Sequence, residues 1–197
     1  EQLYLAGAAP YFDIVTGKPY GFVTGPYDRR VDEQVLNFSR LLLLRDVMTK
    51  YGDAGKGIWA SHWGWNALPT GWTGAPSIWG HTDEETQAIR TVAALERARA
   101  EWPWAGALIL EHFQPLTSPD DPRWGFALVG PDGIPRPTYE AVADWSATRP
   151  EDAPVGGYPA HNPWATYEDD WRVGPLGADV GAEGSRASFR FEGSAVA

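Results

Sequence analysis

The sequence contains no cysteine, a single methionine and no long apolar run. The absence of cysteine excludes a disulfide framework and thiolate metal sites, and it leaves the redox compartment open. The run of leucines at residues 41–44 is flanked by charged residues and is far too short to cross a bilayer. We therefore expect no membrane insertion in this segment. No motif in the sequence indicates a cofactor.

Basic residues are scarce, with 16 Lys and Arg against 26 Asp and Glu and a net charge of −10. Nucleic acids and anionic membranes are bound by clustered Lys and Arg, so this acidic balance argues against both as main partners. Neutral polymers such as polysaccharides remain possible. The chain is rich in Trp, Gly and Pro, with 11, 22 and 17 residues respectively. That composition predicts a packed core with many turns and loops.

Short apolar runs alternate with longer amphipathic segments along the first three quarters of the chain. We predict strands at residues 11–17, 57–63 and 105–110, and helices at 31–51, from Thr82 onwards and near 138–146. Residues 82–85 fit a capping box, with Thr82 as the N-cap. Apolar strands separated by helices are typical of a parallel sheet covered by helices. An open doubly wound sheet and a closed barrel both fit this order.

The composition changes after Arg149. Residues 150–163 are rich in Pro, Gly and Ala and predict an interdomain linker. Residues 186–191 alternate with a period of two, as expected for a half-buried strand of an antiparallel sheet. We therefore divide the chain into an α/β part at 1–149, a linker at 150–163 and the start of a β-sandwich-like domain at 164–197. Because the chain opens on Glu1 and ends in a strand-like segment, we expect it to be part of a longer protein.

Three segments, in order, resemble the last three βα units of retaining glycoside hydrolases with a (β/α)₈ barrel and two catalytic glutamates, the β-xylosidase-like and cellulase-like families. Residues 13–22 (DIVTGKPYGF) resemble the sixth strand, D-x-x-x-x-H-P-Y-G. Residues 56–65 (KGIWASHWGW) resemble the seventh, K-P-x-W-x-T-E-x-G-W. Residues 125–139 contain DGIPRPTY, which resembles the segment after the eighth strand. The resemblance implies the last three βα units of a TIM-type (β/α)₈ barrel.

The chain departs from that family at the mouth of the barrel. The seventh-strand glutamate, which the resemblance implies is the nucleophile, aligns with His62. The sixth-strand histidine aligns with Lys18, and the eighth-strand aromatic falls at or next to Glu111. Retaining hydrolysis needs two carboxyl groups about 5–5.5 Å apart, and an imidazole does not easily replace one of them. These changes indicate a lost or rebuilt site.

Active sites of this fold lie at the carboxyl ends of the strands. Glu111 and His62 are the candidate catalytic residues, and the candidate substrate-binding residues are Lys18, Tyr20, Trp65, Trp72 and His112. His62 is alternatively an inert core histidine, Glu111 a structural partner of Lys18, and each Trp a core residue; Trp59 is assigned to the core. A metal site formed by the histidines and Glu111 matches no known ligand spacing, so no metal is predicted.

We expect a glycoside hydrolase-like protein that binds, or formerly hydrolysed, a glycan and lacks classical retaining activity. The first alternative is an active O-glycosyl hydrolase that uses a relocated carboxylate. The second is a non-catalytic structural or adhesive surface protein, because a fold alone does not determine function. The expected partner is a polysaccharide or glycan, and the expected location is extracellular or at the cell surface. The sequence gives no indication of the oligomeric state.

Overall fold

The computed structural model of the protein describes residues 1–148, 164–169, 171–174, 177–180 and 182–190. The chain divides into two compact units, Glu1–Ser146 and Ala147–Ala197. No helix in the described part of the chain is long and apolar enough to span a membrane. The linker predicted at 150–163 lies outside the described residues.

The first unit contains a three-stranded sheet formed by β1 (Ile14–Gly17), β2 (Gly57–Trp63) and β3 (Ala105–Leu110). β2 lies in the centre and pairs in parallel with both neighbours. The prediction that these three strands are parallel neighbours is confirmed. The register between β2 and β3 shifts twice, between Ile58 and Trp59 and between Ala60 and Trp63.

Four helices occur in residues 1–148: α1 (Gln2–Leu5), α2 (Leu41–Lys50), α3 (Glu84–Glu101) and α4 (Pro137–Ala147). Short 3₁₀ segments lie at Ala9–Tyr11, Phe38–Arg40 and Pro122–Phe126. The helix after β1 begins later than predicted, because the preceding side chains bind the backbone locally. Asp32 accepts a bond from the amide of Gln34, and Asn37 donates to the carbonyl of Arg30.

Helix α3 is capped one residue later than predicted. Asp83, and not Thr82, accepts the hydrogen bond from the amide of Thr86, at 2.7 Å. Thr82 is itself buried, and its amide donates to the carbonyl of Asn66. A carboxylate at this position also interacts favourably with the positive end of the helix dipole.

The core lies between one face of the sheet and the helices, and its centre is aromatic. Phe38 stacks on Trp102 with ring centroids 4.9 Å apart and also contacts Trp63 and Trp65. All four rings are buried. Strand residues Ile58 and Ala60 complete this layer, while Trp59, Ile14 and Ile109 are exposed on the strands. Trp59, which was assigned to the core, does not lie in this layer, and 39% of its surface is exposed on the other face of the sheet.

The second unit consists of paired antiparallel strands in its described residues. β4 (Ala165–Glu168) pairs with β7 (Arg186–Phe189), and β5 (Trp171–Gly174) pairs with β6 (Gly177–Val180). The period-two segment from Arg186 therefore coincides with β7. That these strands belong to a β-sandwich-like domain stays a prediction.

Candidate functional site at the carboxyl edge of the parallel sheet

The segments that leave the three parallel strands are joined by backbone hydrogen bonds at the carboxyl edge of the sheet. The amide of Gly21, after β1, donates to the carbonyl of Gly64, after β2, at 3.0 Å. The amide of Glu111, after β3, donates to the carbonyl of Trp63 at 3.1 Å. These bonds fix the backbone on either side of the predicted site, so the side chains at this edge are held on rigid segments.

Tyr20 and Glu111 form the central contact of this edge. The Tyr20 hydroxyl donates a hydrogen bond to Glu111 Oε2 at 2.6 Å. The Glu111 side chain is only 9% exposed. Burial raises the pKa of Tyr20 above its ordinary value, and the bond to Glu111 and its negative charge raise it further. Tyr20 is therefore held in the neutral form, as a hydrogen-bond donor to a largely buried carboxylate.

His112 lies beside the other oxygen of the same carboxylate. Its Nε2 is 3.5 Å from Glu111 Oε1, and 26% of its side chain is exposed. This Nε2 atom is itself buried and has no hydrogen-bond partner among the described residues. The two side chains are thus close enough for charge interaction but lack hydrogen-bond geometry. The structure brings Tyr20, Glu111 and His112 together.

An aromatic wall surrounds the Tyr20 ring. Its centroid lies 5.5 Å from that of Phe126 and 6.1 Å from that of Trp79. Trp79 meets Phe126 edge to face at 5.3 Å, and Phe22 meets Tyr20 in the same way at 6.3 Å. Sequence reasoning did not select Phe22, Trp79 or Phe126. Trp79 is one of three tryptophans in the loop between β2 and α3, and nothing in the sequence distinguishes it from the other two.

Neither Lys18 nor His62 forms a described hydrogen bond or ion pair with Tyr20 or Glu111. Lys18 is exposed and lines a surface groove with Arg40 and Leu41, at the start of α2. Its expected pairing with Glu111 is not found, because Glu111 binds the Tyr20 hydroxyl instead. His62 is half-buried and lies where the register between β2 and β3 shifts, between Ala60 and Trp63. Such irregularities change the direction in which side chains point and are common next to functional sites. The Nδ1 atom of His62 is buried without a hydrogen-bond partner among the described residues.

The expectation that Trp65 contacts a sugar is wrong. Trp65 is fully buried, and its Nε1 donates to the carbonyl of Thr24 at 2.6 Å. Gly21 lies directly on the indole, since a Cβ at that position would stand 1.9 Å from a ring carbon. Trp65 therefore packs in the core beneath the site, where it supports the segment that carries Tyr20.

Trp72 lines a separate surface groove of about 370 Å³, whose other walls include Trp124, Pro119 and Pro69. The indole N–H of Trp72 donates to the carbonyl of Ala75 at 2.9 Å. That of Trp124 donates to the carbonyl of Ser118 at 3.0 Å. With their polar atoms bound to the backbone, both rings leave mainly apolar surface for contact with a ligand.

The carboxylate of Glu84 and the guanidinium of Arg136 also line this groove and are ion-paired with each other. Arg136 donates further bonds to the carbonyls of Trp124 and Ala67, at 2.7 Å each. Its guanidinium thus joins the loops after β2 and β3 to the start of α3. In the part of the chain that the structure describes, no group of three or more His, Cys, Asp and Glu is arranged to hold a metal ion.

No protein-family model and no curated protein sequence matches the chain. Among solved structures, a family 39 glycoside hydrolase from the gut symbiont Bacteroides cellulosilyticus WH2 superposes with a TM-score of 0.54 at 16% identity. The match covers 75% of this chain and 29% of the hydrolase, so the chain spans less than a third of that enzyme's length. This similarity shows a glycoside hydrolase-like fold.

Two further solved structures match at lower TM-scores. A family 2 β-galacturonidase from Eisenbergiella tayi, bound to galacturonate, gives 0.47 at 16% identity, over 70% of this chain and 24% of that one. A family 113 β-1,4-mannanase gives 0.41 at 17% identity, over 71% of this chain and 40% of that one.

Proposed function

We propose that this protein binds a glycan at the carboxyl edge of a glycoside hydrolase-like barrel and does not perform classical retaining hydrolysis. The observation that carries the proposal is the hydrogen bond from the Tyr20 hydroxyl to the buried Glu111 carboxylate, inside a wall of aromatic rings. Ligand sites of α/β proteins typically combine aromatic walls with a few fixed polar groups. The expected location of the protein is extracellular or at the cell surface.

The uncovered face of the sheet supports a closed barrel. Purely parallel sheets are normally covered on both faces. Here the helices cover one face, whereas Ile14, Trp59 and Ile109 are 39%, 39% and 48% exposed. Further strands that continue the sheet past β1 and β3 would bury these side chains inside a barrel, where layers of bulky side chains fill the interior.

The chemistry of the site suits a sugar. The Glu111 carboxylate has acceptor capacity beyond its single bond to Tyr20, so it can accept a hydrogen bond from a sugar hydroxyl. The half-buried rings of Tyr20 and Trp79 present apolar surface that packs on the C–H face of a pyranose, and the buried Phe126 packs against both rings. A buried carboxylate and aromatic surface thus offer the two kinds of contact that a sugar ring needs.

Classical retaining hydrolysis is disfavoured by the same residues. It requires two carboxyl groups about 5–5.5 Å apart. The position that resembles the family's nucleophile is His62, and the described partners of Glu111 are a phenol and an imidazole, not a second carboxyl group. An active hydrolase with a relocated carboxylate is the second candidate function, because the Tyr20 bond orients Glu111 as an attacking carboxylate requires.

Glycan-array screening of the purified full-length protein tests the proposal. We expect binding to at least one neutral glycan, weakened at least tenfold by Tyr20→Phe and by Glu111→Gln. The matched controls are Tyr11→Phe, at a residue that is 87% exposed, and Glu96→Gln, on the exposed surface of α3. If no glycan binds, or if the controls weaken binding equally, the site does not bind glycans and the structural or adhesive alternative gains support.

Hydrolysis of aryl glycosides separates the two candidate functions. We expect the unmodified protein to be no faster than Glu111→Gln. A clear rate that Glu111→Gln abolishes would contradict the proposal and favour the relocated carboxylate. His62→Glu restores a carboxylate at the position that resembles the family's nucleophile. If this variant hydrolyses aryl glycosides and the unmodified protein does not, the result supports the hypothesis that a retaining site has been lost.

A further inference from the structure

We infer that the Tyr20–Glu111 site selects glycans by charge, accepting neutral and amino-bearing sugars and rejecting uronic acids. The inference rests on the proposed glycan-binding function and specifies its ligand class. The selecting group is the Glu111 carboxylate, which lies between the hydroxyl of Tyr20 and the imidazole of His112.

In the described part of the chain, no cationic side chain forms a hydrogen bond to the negatively charged Glu111. The Tyr20 hydroxyl is a neutral donor, so the bond at 2.6 Å orients the carboxylate without neutralising it. The His112 contact at 3.5 Å lacks hydrogen-bond geometry. Among the described residues, no Lys or Arg forms an ion pair with Glu111. Lys18, the basic residue that follows β1, lines the groove at the start of α2 instead.

The negative charge of Glu111 contributes to the raised pKa of the Arg123 guanidinium. That contribution is the smallest of those that raise it, and the main cause is the bond to Asp121. Arg123 Nε lies 3.0 Å from both oxygens of the Asp121 carboxylate, which satisfies its charge. The charge of Arg123 is therefore already paired with the carboxylate of Asp121.

A sugar carboxylate placed against Glu111 would bring two negative charges together where little water screens them. Charges interact more strongly in such a site than in bulk water, and two adjacent carboxyl groups do not both ionise readily. A neutral sugar hydroxyl can donate a hydrogen bond to Glu111 at no such penalty. The ammonium group of an amino sugar adds a charge-assisted bond, the stronger type.

The charge of the whole chain acts in the same direction but at longer range. With a net charge of −10, the surface repels polyanionic glycans and attracts cationic ones. This effect is screened by salt, whereas a contact with a largely buried carboxylate is screened much less. Salt therefore separates the contribution of the site from that of the surface.

The test measures the binding of methyl β-glycosides of glucose, glucosamine and glucuronic acid to the full-length protein by NMR titration near neutral pH. The galacto-configured counterparts extend the test to the other common ring configuration. Each titration is run in dilute buffer and in about 1 M NaCl, where the screening length is about 3 Å. Glu111→Gln removes the selecting charge with little change of shape. Glu96→Gln makes the same change of net charge on the exposed surface of α3.

In the unmodified protein and in Glu96→Gln, we expect the uronides to bind at least tenfold more weakly than the neutral glycosides, at both salt concentrations. The amino sugars should bind at least as tightly as the neutral ones. Circular dichroism verifies that Glu111→Gln is folded. In this variant, the dissociation constants of the three classes of glycoside should agree within about threefold, a difference of less than 1 kcal/mol in binding free energy.

Equal or tighter binding of the uronides to the unmodified protein overturns the charge selection and leaves the proposed function standing. A discrimination that survives Glu111→Gln but disappears in high salt also overturns it, because the selecting charge is then the surface as a whole. If neither the glycosides nor any glycan of the array binds, the proposed function fails, and the charge selection fails with it.

Discussion

The hydroxyl of Tyr20 donates a hydrogen bond of 2.6 Å to the carboxylate of Glu111, across a separation of 91 residues in the chain. The bond links the segments that follow the two outer strands of the parallel sheet, β1 and β3. It therefore fastens the carboxyl edge of the sheet, the edge at which the proposed glycan site lies. Its consequences for stability and for binding can be measured separately.

Replacing Tyr20 changes how stability depends on alkaline pH. Burial and Glu111 raise the pKa of Tyr20 in the folded protein, whereas the unfolded chain titrates near the ordinary value of 10.0. Above that pH the unfolded state releases a proton that the folded state retains, so stability falls as pH rises. We expect the melting temperature to fall less steeply above about pH 10 in Tyr20→Phe than in the unmodified protein.

The matched control for this titration is Tyr11→Phe. Its slope should equal that of the unmodified protein, because the Tyr11 ring is exposed. Equal slopes in all three proteins would mean that Tyr20 is not held neutral by Glu111.

Glu101 is expected to stabilise the loop before α2 at neutral pH but not in acid. It binds Arg29 and Arg97, and these bonds lower the pKa of its carboxyl from 4.5 to about 2. Arg97 is buried and also donates to the Ser39 hydroxyl at 2.7 Å. A carboxyl group whose pKa is lowered by folding stabilises the protein at pH values above its pKa in the unfolded chain. This stabilisation is lost as the pH falls through its pKa in the folded protein.

We therefore expect Glu101→Gln to lower the free energy of unfolding by about 1 kcal/mol at neutral pH, a modest value because solvent screens the exposed part of the pair. The difference from the unmodified protein should shrink as the pH falls from 4.5 towards 2. Chemical denaturation over this range measures it, with Glu96→Gln on the same helix as the control. A difference that stays constant with pH would exclude the charge pair as its source.

Gly21 should tolerate no side chain. A Cβ at this position would stand 1.9 Å from the Trp65 indole, and Trp65 is fully buried. We expect Gly21→Ala to lower stability by about 1–3 kcal/mol through overpacking. Because Gly21 follows Tyr20 directly, glycan affinity should fall as well. Gly55→Ala is the control, since a Cβ added there would meet no atom within 4 Å; equal denaturation midpoints of the two variants would contradict the packing.

Trp65 and Trp72 should respond differently to truncation. Trp65 lies in the core, so Trp65→Ala should lower the free energy of unfolding by about 3–5 kcal/mol. Trp72 is half-buried on the wall of a surface groove, so Trp72→Ala should reduce stability less and reduce the affinity for longer glycans. Denaturation and glycan titration of both variants check this. If Trp72→Ala binds longer glycans as tightly as the unmodified protein does, Trp72 is not part of the binding surface.

The order of the secondary structure was determined by local sequence. The apolar runs of β2 and β3 have the composition of parallel strands, and the one helix between them, α3, ends at Glu101, two residues before a proline at position 103. The carboxyl ends of parallel strands meet at one edge whatever the loops contain, so the placement of Tyr20 and Glu111 near one another followed from the strand order. The error of one residue at Thr82, and the larger one before α2, where the helix predicted from residue 31 begins at Leu41, arose where side chains competed for backbone groups.

The partners of each side chain were decided only by the tertiary structure. The sequence paired Glu111 with Lys18 because opposite charges attract, but the backbone directs Lys18 towards α2 and brings a neutral phenol to the carboxylate. It assigned Trp65 to the ligand, whereas the structure buries Trp65 in the core; Trp59, assigned to the core, is 39% exposed on the face of the sheet that the helices leave uncovered. Local sequence fixes the type of an element through its periodicity, but the exposure of one ring depends on residues distant in the chain that pack on either face of the sheet.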